Sequence, residues 1–282
     1  MTVPFAPEWF RRAGFDVQEF SANGVRTFAV VEGRREHFPV IFLHGFPGGA
    51  FVWEYVIAAL GRKRLAIAPD FPGWGRSLSR FGVELPSPSL QWSMAWLNGL
   101  LAAQHIERLD LVAHGSGTWL ALELLAQDPL RVRRLALLSL PLRHEGFTPG
   151  SAVGRLFGYR MRWTPQRMRR WLNEHAAFAD STRERSTKQF AQLERRDHAP
   201  EIMAAAADRM TVANDGRALH EFRGRSLLIW GERDPAYSAH ASEEFAANMD
   251  RPQVHRLTQS GHYPMLDDPQ VVTAYLSEFL ED

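Results

Sequence analysis

Short runs that are apolar at odd and even positions alike recur through this chain, at residues 39–43, 65–68, 109–113, 135–140 and 226–230, with a weaker one at 254–257. A strand of that composition hides both of its faces, as strands do inside a parallel sheet covered by helices. Between the runs lie stretches of helical character, 50–60, 89–105, 118–127, 240–248 and 269–280. Ahead of them, 15–21 and 25–31 are β-branched and aromatic and flank Asn23-Gly24, a pair suited to the left-handed conformations of a tight hairpin. The alternation predicts an α/β protein, a doubly wound and mostly parallel β-sheet with an antiparallel hairpin at its start.

The alternation fails over residues 143–217. That stretch has no β-branched run, and Arg155, Arg160, Arg162, Arg167, Arg169 and Arg170 crowd its first half. It reads as a helical cap inserted between the sixth and seventh strands, over the sheet's C-terminal edge, with 1–142 and 218–282 forming the core. The cap arginines fit either an anionic substrate or, as is more usual for charge on helices, a solvated face.

Composition removes several classes of function. Lys and Arg number 33 against 32 Asp and Glu, a net charge of +1. That excludes a global electrostatic footprint for nucleic acid or an anionic membrane. With no cysteine there is no disulfide framework, thiolate metal site or cysteine nucleophile. No apolar run approaches the roughly 20 residues of a membrane span. The first residues lack a basic region followed by an apolar one, so a cytoplasmic protein is expected.

In an open parallel sheet, ligands bind beyond the carboxyl ends of the strands. The residues there are His44-Gly45-Phe46-Pro47-Gly48-Gly49, Pro69-Asp70-Phe71-Pro72-Gly73-Trp74-Gly75-Arg76-Ser77, His114-Gly115-Ser116-Gly117-Thr118, Gly231-Glu232-Arg233-Asp234-Pro235 and Gln259-Ser260-Gly261-His262-Tyr263-Pro264. Five such segments in this order resemble the α/β-hydrolase superfamily. The likeness covers nearly all of the chain outside the cap. The His-Gly-Phe-Pro form and the cap are most similar to the branch with epoxide hydrolases, haloalkane dehalogenases and small esterases.

The resemblance implies a nucleophile at the third of these turns, an acid at Asp234 that orients the imidazole, and a base at His262. The superfamily's turn reads small-His-nucleophile-x-Gly-Gly. Here the matching segment is Ala113-His114-Gly115-Ser116-Gly117-Thr118, so the nucleophile position holds Gly115. A second register takes Ser116 as nucleophile, with His114 and Thr118 as flanks. The sharp elbow wants small flanks, which favours the Gly115 register with Ala113 and Gly117. Glycine also adopts positive φ at little cost.

Losing a serine nucleophile costs a triad enzyme on the order of 10⁶ in rate. Three readings therefore stand: an inactivated Ser or Asp hydrolase of esters, lactones or epoxides; an enzyme in which His262 and Asp234 act as a general acid–base pair with no covalent step; and a ligand-binding protein on the same fold. The second is the expectation, acting on a small, mainly apolar molecule with no cofactor or metal. Retention of a matched acid and base counts against a pure binder.

The resemblance places the backbone N–H groups of Phe46 and Ser116 in an oxyanion hole. His44, His114, Trp74, Tyr159 and Trp163 are candidate substrate-binding residues, and Asp70 with Arg76 a structural ion pair. Epoxide hydrolases carry two cap tyrosines and an Asp nucleophile, and haloalkane dehalogenases Asp followed by Trp. Here the cap has only Tyr159, and Gly115-Ser116 stands at the elbow.

Overall fold

The computed structural model describes residues 14–45, 47–72, 75–79, 90–139, 165–177, 189–190, 217–235, 237 and 240–281. Among the described residues, nine strands form one sheet: β1 (Asp16–Ala22), β2 (Val25–Glu32), β3 (Val40–Leu43), β4 (Ala66–Pro69), β5 (Leu78–Ser79), β6 (Leu109–His114), β7 (Val132–Leu138), β8 (Arg225–Gly231) and β9 (Gln253–Leu257). Their spatial order is β1-β2-β4-β3-β6-β7-β8-β9, with the two-residue β5 on β2. Pairing is antiparallel wherever β2 takes part and parallel from β4 through β3 to β9. The β1–β2 hairpin turns at Asn23 and Gly24, both at positive φ, as that pair predicts.

The apolar runs are continuous because the sheet has a core on each side. Along β3, Ile41 and Leu43 enter one cluster while Val40 and Phe42 enter the other, and Leu228 and Trp230 alternate with Leu227 and Ile229 along β8. On one face pack α2 (Leu90–Ala103), α3 (Gly117–Gln127), α5 (Arg217–Glu221) and α6 (Ala241–Ala247). On the other pack α1 (Glu54–Leu60), α7 (Pro264–Asp267) and α8 (Pro269–Leu280), joined by Trp171 and Leu172 of α4 (Pro165–His175).

Three details differ from the sequence reading. Residues 50–53 form a 3₁₀ turn ahead of α1, not one helix with it. The run read as 135–140 is β7, which spans 132–138 and starts at Val132, paired with Leu109. β5 was not foreseen, since two residues carry no periodicity. Within residues 143–217, α4 is a helix, and Arg170 on it is exposed and paired with Glu174 at 2.9 Å.

Strand order reverses at β3: the chain goes on to β4 on one side, then crosses back to place β6 on the other. Ligand crevices of open α/β sheets lie at such switch points, beyond the strands' carboxyl ends. The turns after β3 and β6 are thereby brought side by side.

At the opposite end of β6, Asp110 is fully buried. It accepts from Arg64 at 3.0 Å and Arg134 at 3.4 Å. The same guanidinium groups donate to the carbonyls of Leu280 and Glu281, tying the end of α8 to the sheet. Burial pushes the Asp110 carboxyl up, against the arginines that lower it. Asp110→Ala strands two buried cations and is expected to cost about 3–5 kcal/mol. Lys63→Ala breaks an exposed pair with Glu281 and is expected to cost less than about 1 kcal/mol. Urea unfolding of the two variants checks the contrast.

Candidate active site

Where β6 ends, the chain must turn into α3 within two residues. Gly115 supplies the left-handed conformation (φ +52°), and its N–H reaches the Leu138 carbonyl at 3.1 Å. Ser116 follows at φ −62°, ψ −20°, already helical. The left-handed residue is thus Gly115 and not Ser116. Gly117 comes so close to β3 that a Cβ there would lie 2.4 Å from the His44 carbonyl oxygen, which only glycine tolerates. The small flank required by the elbow is therefore a packing requirement against β3.

A side chain on Gly115 would be closely confined, at a backbone conformation that side chains rarely adopt. Its Cβ would stand 3.3 Å from the Gly45 Cα and 3.7 Å from His262 Nε2. His262 arrives from the turn after β9, and Asp234 from the turn after β8. Their side chains are buried, with Nδ1 2.9 Å from the Asp234 Oδ2. The Nδ1–H donates to the carboxylate, which leaves the Nε2 lone pair facing Gly115. Asp234 Oδ1 accepts the Tyr237 N–H at 3.2 Å, so the carboxylate is held from both sides.

The backbone of His262 is clamped as well. Its N–H donates to the His175 carbonyl at the end of α4 (2.8 Å), and its carbonyl accepts from His114 Nε2 (2.7 Å). Tyr263, fully buried, donates its hydroxyl to the Pro47 carbonyl (2.8 Å) and accepts the Trp171 indole N–H (3.2 Å). One phenol therefore links the turn after β3 to α4. Asp267 accepts the Gly261 N–H at 2.7 Å and also that of Ala177, just beyond α4.

Among the expected site residues, the structure gathers His262, Asp234, Gly115, Ser116, His114 and His44. His44 lies beneath the surface with both ring nitrogens engaged: Nδ1–H donates to the Gly45 carbonyl (3.0 Å), and Nε2 accepts the Phe71 N–H (3.0 Å). His114 is bound through Nε2 to His262, and its buried Nδ1 has no hydrogen-bond partner among the described residues. Burial depresses the pKa of both rings, most strongly at His114, where the nearby His262 adds to the effect. Both are neutral parts of the framework under the dyad. His175 is likewise lowered, to about 4, mainly by burial. Asp70 acts structurally, accepting the N–H groups of Ala50 (2.6 Å) and Arg76 (2.8 Å), with the Arg76 guanidinium 4.0 Å away. Phe46, Trp74, Tyr159 and Trp163 lie outside the described residues.

Sequence reasoning missed Tyr263, Asp267 and the docking of His175. Tyr263 follows His262 directly, so the strand-end rule reached its position but not its bridging role. Aromatic rings surround His262: Trp171, Tyr237 and Tyr263 have centroids 6.1, 5.3 and 5.0 Å from that of its ring.

Asp267 gives this clamp a pH dependence. Desolvation raises its pKa to about 7, against the backbone N–H groups that lower it. Between its unfolded and folded pKa values the folded state holds one more proton, so this group's contribution to stability declines as pH rises toward about 7 and is flat above. Asp267→Asn is expected to gain stability relative to the wild type between pH 5 and pH 8. Urea midpoints of both proteins at the two pH values measure it, and a constant difference would contradict the assignment.

A model described as the alpha/beta hydrolase family matches residues 40–274. 2-Hydroxymuconate semialdehyde hydrolase of a Pseudomonas species is 27% identical, over 94% of this chain and 94% of its own length. A cis-3-alkyl-4-alkyloxetan-2-one decarboxylase of Shewanella oneidensis is 24% identical, over 93% and 87%. Among solved structures, the enol-lactonase of Burkholderia xenovorans superposes with a TM-score of 0.78 at 18% identity, covering 94% of this chain and all of that one. With the family match spanning most of its length, the chain belongs to the α/β-hydrolase family, as an enzyme whose curated relatives include named hydrolases.

Proposed function

We propose that this enzyme acts on a small, mainly apolar carbonyl compound by general acid–base catalysis, with His262 as base, Asp234 as its orienter and no side-chain nucleophile. One observation carries the reading. A buried, correctly hydrogen-bonded Asp–His pair directs its free Nε2 at a residue that has no side chain.

In this scheme Nε2 removes a proton from water or from the substrate. The imidazolium that forms is stabilised by Asp234, 2.9 Å away. Negative charge developing on the carbonyl oxygen is met by the backbone N–H of Ser116, where α3 begins, and by that of Phe46, as the family resemblance assigns them. The proton then passes from His262 to the leaving atom. Relatives named for a semialdehyde, an oxetan-2-one and a heptadienoate support a carbonyl substrate. The rings around His262 support an apolar one. Residues 143–217 serve as the cap over this site, to which α4 belongs.

Turnover of a panel of small esters, lactones and enolisable carbonyl compounds tests the proposal. His262→Ala is expected to lower kcat by about 10²–10⁴-fold, the range of general acid–base catalysis. Gly115→Ala is expected to lose far less. Gly115→Ser and Gly115→Asp add little to the native reaction. A gain of several orders of magnitude from either would show a displaced nucleophile and end the proposal. The restoring residue would name the class, Ser for ester chemistry and Asp for epoxide or halide displacement.

A further inference from the structure

The Tyr263 side chain is fully buried, so its hydroxyl serves partners inside the protein and not a substrate. A buried hydroxyl is costly unless its hydrogen bonds are made. Here the proton goes to the Pro47 carbonyl at 2.8 Å, and the oxygen accepts the Trp171 indole N–H at 3.2 Å. Burial pushes the phenol's pKa well above its ordinary value, so it keeps the proton that Pro47 receives. An oxygen that accepts one hydrogen bond donates the other more strongly. The Pro47 bond is therefore strongest while α4 holds Trp171 in place. The ring repeats the connection. Phe190, also fully buried, stands edge-on to Tyr263 (centroids 5.2 Å apart) and to Phe51 of the 3₁₀ turn that follows Pro47 (4.9 Å). Two separate parts of residues 143–217 thus meet the turn after β3 around one residue adjoining His262. That turn is one wall of the crevice. Gly45 Cα is 3.3 Å, and His262 Nε2 3.7 Å, from the point where a Cβ of Gly115 would stand.

We infer that Tyr263 is a positioning residue that fixes the distance between the turn after β3 and the elbow, and does so fully only while α4 is docked. Tyr263 touches no reacting atom. It acts through the Pro47 carbonyl on the backbone of the turn, and it answers to Trp171. Residues 143–217 then adjust the crevice as well as adjoin it. The effect on turnover rests on the acid–base reading of His262, whereas the effect on the turn does not. Because the phenol is buried, losing its hydroxyl leaves substrate contacts in place. The misplacement of the turn falls on the reacting groups, where an error of about 1 Å costs as much as about 10²-fold in rate.

Hydrogen exchange read by mass spectrometry reports on the turn without a substrate. The segment followed is 44–52, which contains the N–H groups of Ala50 and Val52, bonded to Asp70 (2.6 Å) and Gly49 (3.1 Å). Tyr263→Phe keeps the ring and drops both hydrogen bonds. It is expected to speed exchange in 44–52 about fivefold, the equivalent of one hydrogen bond, with β6 and β7 unchanged. Trp171→Phe removes the indole N–H on the far side of Tyr263 and is expected to speed the same segment about twofold. In a Tyr263→Phe background it is expected to add nothing, where a loss of packing alone would add. Circular dichroism checks each fold, and if Tyr263→Phe does not fold, Trp171→Phe alone decides. No change in 44–52 in either single variant, an equal rise throughout the sheet, or an additive double variant overturns the inference. On any panel compound the wild type turns over, Tyr263→Phe is expected to lower kcat about 10–10²-fold while KM stays within about twofold. A raised KM at unchanged kcat overturns the positioning role. The two readings fail separately. Faster exchange in 44–52 with His262→Ala fully active removes only the acid–base reading, while unchanged exchange with His262→Ala impaired removes only the coupling.

Discussion

The approach of the β6–α3 turn to the end of β3 governs the rest of the site. Gly117 lies so close to the His44 and Leu43 carbonyls that α3 starts directly against β3. That contact fixes the direction of α3, and the left-handed Gly115 is the only way to reach it from β6 in two residues. Because β3 and β6 are hydrogen-bonded neighbours at the point where strand order reverses, the turns after them share one crevice. His262 and Asp234 need only reach that crevice from β9 and β8. The chemistry is thus placed by sheet topology, and the glycines are what let the backbones come close enough.

The strands were legible because burial on both faces leaves a sequence signature that solvent cannot blur. Ile41 and Phe42, neighbours in sequence, belong to different cores, and both had to be apolar. The Asp234–His262 pair was legible for another reason: each residue lies in the turn that follows a strand the pattern had already located. The site's internal wiring was not legible. Nothing local to His44 says that both of its ring nitrogens will find backbone partners, one of them Phe71, 27 positions away. The link from Trp171 through Tyr263 to Pro47 joins residues 92 and 216 positions apart, a relation no period of two or 3.6 encodes. Asp267, in an Asp-Asp-Pro sequence, looks like a helix-capping residue. Its contact with the Gly261 N–H depends on how tightly the turn after β9 folds back.

His262 is held through its backbone as well as through its ring. His114, from the elbow strand, and His175, from α4, grip the two sides of the His262 peptide, while Asp234 fixes the ring. All three histidines sit within a small volume, and two protonated rings there would repel each other. Burial lowers the pKa of His114 and His175 and so disfavours their charged forms, while the carboxylate of Asp234 lies beside His262. Differential solvation thereby separates them: His114 and His175 act as hydrogen-bonding framework, and in the proposed scheme the proton passes through His262.

The same electrostatics bear on why the pair persists opposite a glycine. Burying a carboxylate and a potential imidazolium costs several kcal/mol of desolvation, which their hydrogen bond only partly offsets. A protein that merely held a ligand would gain from apolar residues of similar volume at Asp234 and His262, as many buried ion pairs can be so replaced without loss of stability. Here the pair is intact at 2.9 Å, and three further hydrogen bonds, from Tyr237, His114 and His175, are devoted to its orientation. A buried, oriented Asp–His pair kept beside a position without a side chain is the arrangement that the proposed acid–base chemistry requires.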